Sequence, residues 1–322
     1  MASGRSMLGD TIRLVARTGR DTARRVPGTR VVLGSAPRLE LDGRVVFITG
    51  AARGLGAEVA HQVHARGAHV SLVGRRLAPL EELAASLGER AAAFEADVSD
   101  FDGLGRAARE TVARFGGIDV VVANAGVAPP SETVLTIDPD EFERIVDIDL
   151  LGQWRTIRAT LPAVIERQGH LLVVASIYAF FNGALNASYA ASKAGIEQLA
   201  RAVRVEIAPH GVTAGVAYLG FIETDLAAEA FAQEHVADAR NVGPAFLTKP
   251  MPVDAAARAL IDGIEKRSPR VGAPSWVLPM LAVRGVTTTV MDEFMLHSPG
   301  LARVISRAEG AAAKHGEKPT GG

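Results

Sequence analysis

Residues 44–56 read RVVFITGAARGLG: an apolar run rich in β-branched residues that passes, without a break, into three closely spaced glycines. The run predicts a buried strand. The glycines predict a tight turn, and GAEVAHQVHARG (56–67) behind them carries the spacing of a helix. A strand that ends in a glycine turn at a helix N-terminus offers free N–H groups and the positive end of a helix dipole, the arrangement that receives a pyrophosphate. Three glycines alone are a weak signal, and their place between strand and helix is what strengthens it.

Outward from this stretch the pattern repeats. AHVSLVG (68–74), AAAFEAD (91–97), IDVVVANAG (118–126), HLLVVAS (170–176) and VTAGVAYLG (212–220) are further strands, with helical segments between them. Apolar strands without alternation, separated by helices, indicate a parallel sheet covered on both faces. The fold class is α/β, a Rossmann-type doubly wound sheet in a single domain with N- and C-terminal helical extensions.

Composition narrows the function classes. The chain has 322 residues, 48% hydrophobic and 22% charged, with a net charge of −1. That balance suits a soluble globular protein and provides no global field for nucleic acid. With no cysteine there is no disulfide, thiolate nucleophile or cysteine-bound zinc, which fits a reducing, cytoplasmic setting. His61 and His64 lie at helical spacing without an acidic third ligand, and no metal site is expected. No apolar run is long enough to span a bilayer, and no secretory core opens the chain.

Residues 1–40 form a separate, arginine-rich segment. Leu8, Ile12, Val15 and Val26 fall on one side of a helix there, and Arg13, Arg17, Arg20 and Arg24 on the other. This basic amphipathic helix reads as an arm packed on the domain or a second subunit, or, through residues 7–26, as a peripheral contact with an anionic membrane.

The stretch SYAASKAG (188–195) sets Tyr189 and Lys193 one helical turn apart on one face, in a chain with only three tyrosines. A cation beside a phenol favours the phenolate, which outlines a general acid/base.

TGAARGLG (49–56), Asp97 with Val98, NAG (124–126), Ser176 thirteen residues before Tyr189, and Y-x-x-x-K at 189–193 occur in an order that resembles the classical short-chain dehydrogenase/reductase family. The resemblance covers Leu41 to Gly272 and implies a catalytic domain over 41–272 with a substrate lid near 225–252. It implies that Gly50, Arg53, Gly54, Leu55, Gly56, Asp97, Val98, Asn124, Ala125, Gly126, Gly220, Ile222 and Thr224 contact the dinucleotide. Tyr189 would give a proton to a carbonyl oxygen as the nicotinamide delivers hydride to the carbon. Ser176 would hold that oxygen, and Lys193 would lower the tyrosine pKa and bind the cofactor ribose. The family also implies a homodimer or homotetramer, paired through two long helices.

Cofactor choice is read from charge. An acidic residue after the second strand would accept from a ribose 2′-OH, but here Gly74 holds that place, Arg75 follows, and Arg53 adds a cation in the glycine loop. Arginine matches phosphate, so NADP(H) is expected over NAD(H).

Two departures stand out. Asp149, in IDLLG, replaces the family's asparagine, and its charge would pair with Lys193 and slow the reaction. Leu219 replaces a proline in YLGFIETD (218–225) and puts loop rigidity in question. The alternative reading they leave open is a catalytically idle dinucleotide sensor or scaffold. Finally, residues 273–322 begin with an interrupted apolar stretch that can extend a pocket wall, cover a second subunit or touch lipid. A pocket wall would suit a lipophilic small-molecule substrate.

Overall fold

The computed structural model describes residues 38–224 and 245–316. The arginine-striped segment, the expected membrane contact at 7–26 and most of the expected lid lie outside the described residues.

Among the described residues seven strands form one all-parallel sheet: β1 (Val45–Thr49), β2 (His69–Gly74), β3 (Ala91–Glu95), β4 (Val120–Ala123), β5 (His170–Val174), β6 (Thr213–Leu219) and β7 (Arg270–Ala273). Their order is β3-β2-β1-β4-β5-β6-β7. Helices α1 (Gly54–Ala65), α2 (Leu77–Leu87), α3 (Phe101–Phe115), α4 (Pro139–Val146), α5 (Gly152–Glu166) and α6 (Ala187–Ile207) connect the first six strands. Beyond β6 come the short α7 (Ala245–Thr248), then α8 (Val253–Glu265), and after β7 a run of α9 (Val277–Ala282), α10 (Arg284–Leu296) and α11 (Pro299–Gly316). No helix among the described residues is long and apolar enough to cross a membrane.

The sheet is buried on both sides, which is why its strands read as unbroken apolar runs. Side chains alternate between two cores. Phe47, Val121 and Leu171 pack with α3, α5 and α6, while Val46, Ile48, Val120 and Leu172 pack with α1 and α8. Six strands match the sequence expectation. The seventh was not expected: its four residues, RVGA, begin with an exposed arginine and include a glycine, so they carry no strand signature of their own. Pairing with β6 from Val216–Arg270 to Leu219–Ala273 makes it a strand.

The chain reverses direction across the sheet between β1 and β4. Crossovers on either side diverge there and leave a crevice beyond the strands' C-terminal ends, where ligands of such sheets bind.

Candidate active site

The crevice opens into a cavity of about 810 Å³. Gly50, at φ +67°, turns the chain out of β1, and a Cβ there would lie 3.0 Å from Ala125 Cα. Gly56 is tighter: a Cβ would meet the Gly50 carbonyl oxygen at 2.3 Å. Only a residue without a side chain lets α1 start so close to the turn. The N-cap residue, Arg53, makes no side-chain cap bond to that helix end, and the first-turn N–H groups of a helix suit an anionic ligand. Thr49 Oγ1 accepts from the N–H groups of Asn124 (3.1 Å) and Ala125 (3.2 Å), and Asn124 Nδ2 donates to Thr49 O at 3.0 Å. The NAG segment thereby ties β4 to β1.

At the β2 end, Arg53, Arg75 and Arg76 line the cavity beside Gly74 and Asp97. Asp97 Oδ1 accepts from the N–H (2.9 Å) and hydroxyl (2.8 Å) of Ser99, and its Oδ2 lies 3.9 Å from Arg75 Nε. Three arginines against one engaged carboxylate leave this end electropositive.

At the β5 end the acid/base candidates meet. Ser176 stands just past β5, Tyr189 and Lys193 point from α6, and Asp149 comes from a π-helical turn, Asp147–Leu151, between α4 and α5. A π turn inserts a residue and re-aims its side chain, and Asp149 is fully buried as a result. Its Oδ1 accepts from Val127 N–H at 2.7 Å, and its Oδ2 lies 3.4 Å from Lys193 Nζ. Lys193 Nζ also donates to Val174 O at 3.4 Å and sits 5.1 Å from the Tyr189 ring centre. Ser176 Oγ donates to Leu219 O at 3.3 Å and accepts from Tyr178 N–H at 3.3 Å, and it lines the cavity with Tyr189.

Electrostatics departs from the sequence expectation at Tyr189. Burial pushes its phenol above the ordinary value, and Asp149 pushes the same way. Lys193 pulls it down, as the spacing predicts, and so does the Ser176 hydrogen bond, but enclosure outweighs both. Burial disfavours the Lys193 ammonium, yet Asp149 and Tyr189 together hold it above the usual lysine value. Burial likewise raises the Asp149 carboxyl, offset in part by Lys193 and the Val127 N–H.

The loop after β6 is held despite Leu219. Gly220 N–H donates to Ala273 O at 2.8 Å, and Met251 pairs with it on both sides, Met251 N–H to Phe221 O and Glu223 N–H to Met251 O, each at 2.9 Å. Backbone bonds from β7 and residue 251 supply the rigidity a proline would have given. Gly220, Ile222 and Thr224 face the cavity with the rest of the predicted set, namely Gly50, Arg53, Gly54, Leu55, Gly56, Arg75, Asp97, Val98, Asn124, Ala125, Gly126, Asp149, Ser176, Tyr189 and Lys193.

Several lining residues escaped the sequence reading. Tyr178, Ser131 and Asn186 surround the Tyr189 end, and Met291, Phe294 and Met295 of α10 with Leu301 of α11 form an apolar wall. The wall is anchored by Arg284, which donates to both carboxylate oxygens of the buried Glu197 on α6 at 2.8 and 2.9 Å, and by Asn182 Nδ2 donating to Asp292 Oδ1 at 2.9 Å. Of the three roles the sequence left open for the C-terminal stretch, its Met291, Phe294 and Met295 line the pocket, while Val286, Val290 and Leu296 of the same helix are exposed. No local signal could have placed it, because its partners lie about a hundred residues earlier in the chain.

These features fit a dinucleotide: a backbone cradle too tight for any side chain at Gly56, a helix end whose N-cap residue makes no side-chain cap bond, and a basic rim at one end. A family model described as short chain dehydrogenase matches residues 44–235. The chain is similar to Nodulation protein G of Rhizobium sp. (strain N33), 33% identical over 186 residues, covering 58% of this chain and 76% of that protein. It is also similar to Dehydrogenase/reductase SDR family member 7B of Bos taurus, 35% identical over 203 residues, covering 60% of this chain and 62% of that one. In fold it resembles the crystal structure of gox2181, with a TM-score of 0.67 and 24% identity, covering 74% of this chain and 97% of that one. The α10–α11 wall lies beyond the family match.

Proposed function

The chain belongs to the short-chain dehydrogenase family of nicotinamide-dependent oxidoreductases, and from that premise we propose that it interconverts a lipophilic carbonyl compound and its secondary alcohol with NADP(H), using Tyr189 as general acid/base. The observation that carries the reading is the meeting of Ser176, Tyr189 and Lys193 at one end of the cavity whose other end is the glycine cradle. The bound nicotinamide supplies or accepts the hydride.

The chain's own residues do the rest. In the reducing direction the Tyr189 phenol gives its proton to the carbonyl oxygen, and its raised pKa keeps that proton in place at neutral pH. Ser176 Oγ, which lines the same end of the cavity, orients the same oxygen. Lys193, 5.1 Å from the ring, stabilises the phenolate left behind. Asp149 opposes that pull and tempers the rate. Gly50, Gly54, Leu55, Gly56, Asn124, Ala125 and Gly126 would cradle the dinucleotide, with Asp97 and Val98 at its adenine, Gly220, Ile222 and Thr224 at its carboxamide, and Lys193 at its ribose.

Arg53 and Arg75 beside Gly74 support NADP(H) over NAD(H), since no carboxylate occupies the position that would bind a 2′-OH and repel a phosphate. The wall of Met291, Phe294, Met295 and Leu301 supports a lipophilic substrate. Exposed Leu151 at the end of the π-helical turn and Trp154 on α5, with Phe101 stacked on Trp154 at 6.3 Å, support a homodimer or homotetramer through that face. We place the enzyme in the cytoplasm, its catalytic unit over residues 41–272.

The test is NADPH oxidation by the purified protein against carbonyls graded from small and polar to large and apolar, with Tyr189→Phe alongside. Turnover that rises with apolar size and vanishes in the variant is expected. Cofactor binding with no turnover on any carbonyl would point instead to a dinucleotide sensor.

A further inference from the structure

The proton transfer assigned to Ser176, Tyr189 and Lys193 leaves a group of polar side chains beside it unused. Tyr178 lines the same cavity two residues past Ser176, and its N–H donates to Ser176 Oγ at 3.3 Å. Its ring is fixed on two sides, edge-on to Tyr189 (centroids 5.8 Å apart, 85°) and to Phe221 (6.4 Å, 87°). Such T-shaped pairs hold orientation as well as burying area. Asn186 lines the same cavity, and its Oδ1 accepts from Ser131 Oγ at 3.3 Å. Ser131 stands in the left-handed region at φ 57°, and the bridge between Glu132 and Asn186 clamps the two segments together. This is a rigid polar corner in a cavity whose far wall is methionine, phenylalanine and leucine.

Burial pushes the Tyr178 phenol up to about 12, with Tyr189 adding to the rise. It therefore stays a neutral hydroxyl across the working pH range, able to donate and accept, and unfit to replace Tyr189 as the acid/base.

We propose that Tyr178, with Asn186, is a specificity-determining pair that receives a second oxygen of the substrate, so that the preferred compounds are lipophilic ketones or alcohols carrying a hydroxyl or carbonyl oxygen within a few bonds of the reacting carbon. The inference rests on the oxidoreductase reading above and narrows its substrate class. Tyr178 and Tyr189 line one cavity with ring centroids 5.8 Å apart, a span that one small molecule can bridge. A site built to hydrogen-bond a substrate oxygen discriminates strongly against the analogue that lacks it, because its own buried polar groups are then left unpaired.

The experiment is calorimetric binding of an aliphatic ketone and its β-hydroxy derivative, with the hydroxyl on a tertiary carbon, to the protein with oxidised NADP present, a combination in which the ketone cannot be reduced and the tertiary hydroxyl cannot be oxidised. Wild type should bind the hydroxyketone about tenfold more tightly than the plain ketone. Tyr178→Phe keeps both ring contacts and should bring the two affinities together by weakening the hydroxyketone alone, and Asn186→Ala should do the same in part. Equal affinities in wild type, or an unchanged ratio in Tyr178→Phe, would overturn the inference. If the preference appears but neither ketone is reduced with NADPH, the oxidoreductase reading fails while the second-oxygen site stands.

Discussion

Asp149 Oδ2 lies 3.4 Å from Lys193 Nζ, both side chains are almost wholly buried, and Lys193 is the largest influence drawing the Tyr189 phenol down. The carboxylate therefore acts on the phenol twice, through its own charge, which raises the phenol's pKa, and by sharing the ammonium that would lower it. Asp149→Asn removes both effects. The Tyr189 pKa should fall, and the pH at which alcohol oxidation rises, where the phenolate acts as base, should move lower. The rate at neutral pH should increase on the order of threefold. Superimposable pH–rate profiles for the two proteins would show that Asp149 does not tune the site.

Cofactor preference should follow Arg75. Arg75→Asp introduces a carboxylate able to accept from a ribose 2′-OH and repel a 2′-phosphate. Because Arg75 is 62% exposed, solvent screens its charge, and the kcat/KM ratio for NADPH over NADH should drop by about tenfold rather than by orders more. An unchanged ratio would remove the basis for choosing NADP(H).

The Gly56 cradle makes a steric prediction. A Cβ 2.3 Å from the Gly50 carbonyl forces the helix away from the turn. Gly56→Ala should lose cofactor binding, followed by fluorescence titration, and about 1–3 kcal/mol of stability. Gly88→Ala is the control: φ there is +85° but nothing lies within 4 Å, so it should cost about 1 kcal/mol and leave cofactor binding alone.

Acid stability should depend on His170. Its ring is fully buried with Nδ1 2.8 Å from Thr213 Oγ1, and burial, helped by Arg267, lowers its pKa from 6.5 to about 3. Between those values the unfolded chain binds a proton that the folded protein refuses. Stability contributed by the neutral ring is thus complete above 6.5 and lost as pH falls towards 3. The full loss is roughly 3–5 kcal/mol. Urea midpoints measured across that window should fall more steeply in wild type than in His170→Leu, and parallel curves would place the acid sensitivity elsewhere.

Much of this was legible in the residues themselves. β1 and the glycine turn could be read because both rest on local chemistry: VVFIT is apolar on both faces, and the turn after it needs residues without Cβ atoms. Tyr189 and Lys193 could be paired because helical spacing alone brings them together on α6. Arg75 was visible as a charge at an expected strand end. β7 was not legible, since four residues including a glycine become a strand only against β6. Tyr178 carries no local signal, since only its edge-on contacts with Tyr189 and Phe221 set its ring at the candidate site.

Sequence alone thus determined the parallel doubly wound sheet, the glycine turn at its first strand and the pairing of Tyr189 with Lys193, all of which follow from periodicity and spacing within one element or across one turn, while Ser176 was reached only through resemblance to the family. Tertiary structure decided the net direction of the Tyr189 pKa, the burial of Asp149 against Lys193, and the shape of the substrate end. Those properties depend on desolvation and on contacts such as Asn182 with Asp292, between residues far apart in the chain. Enclosure and long-range contact exist only once the chain has folded, so no local pattern encodes them.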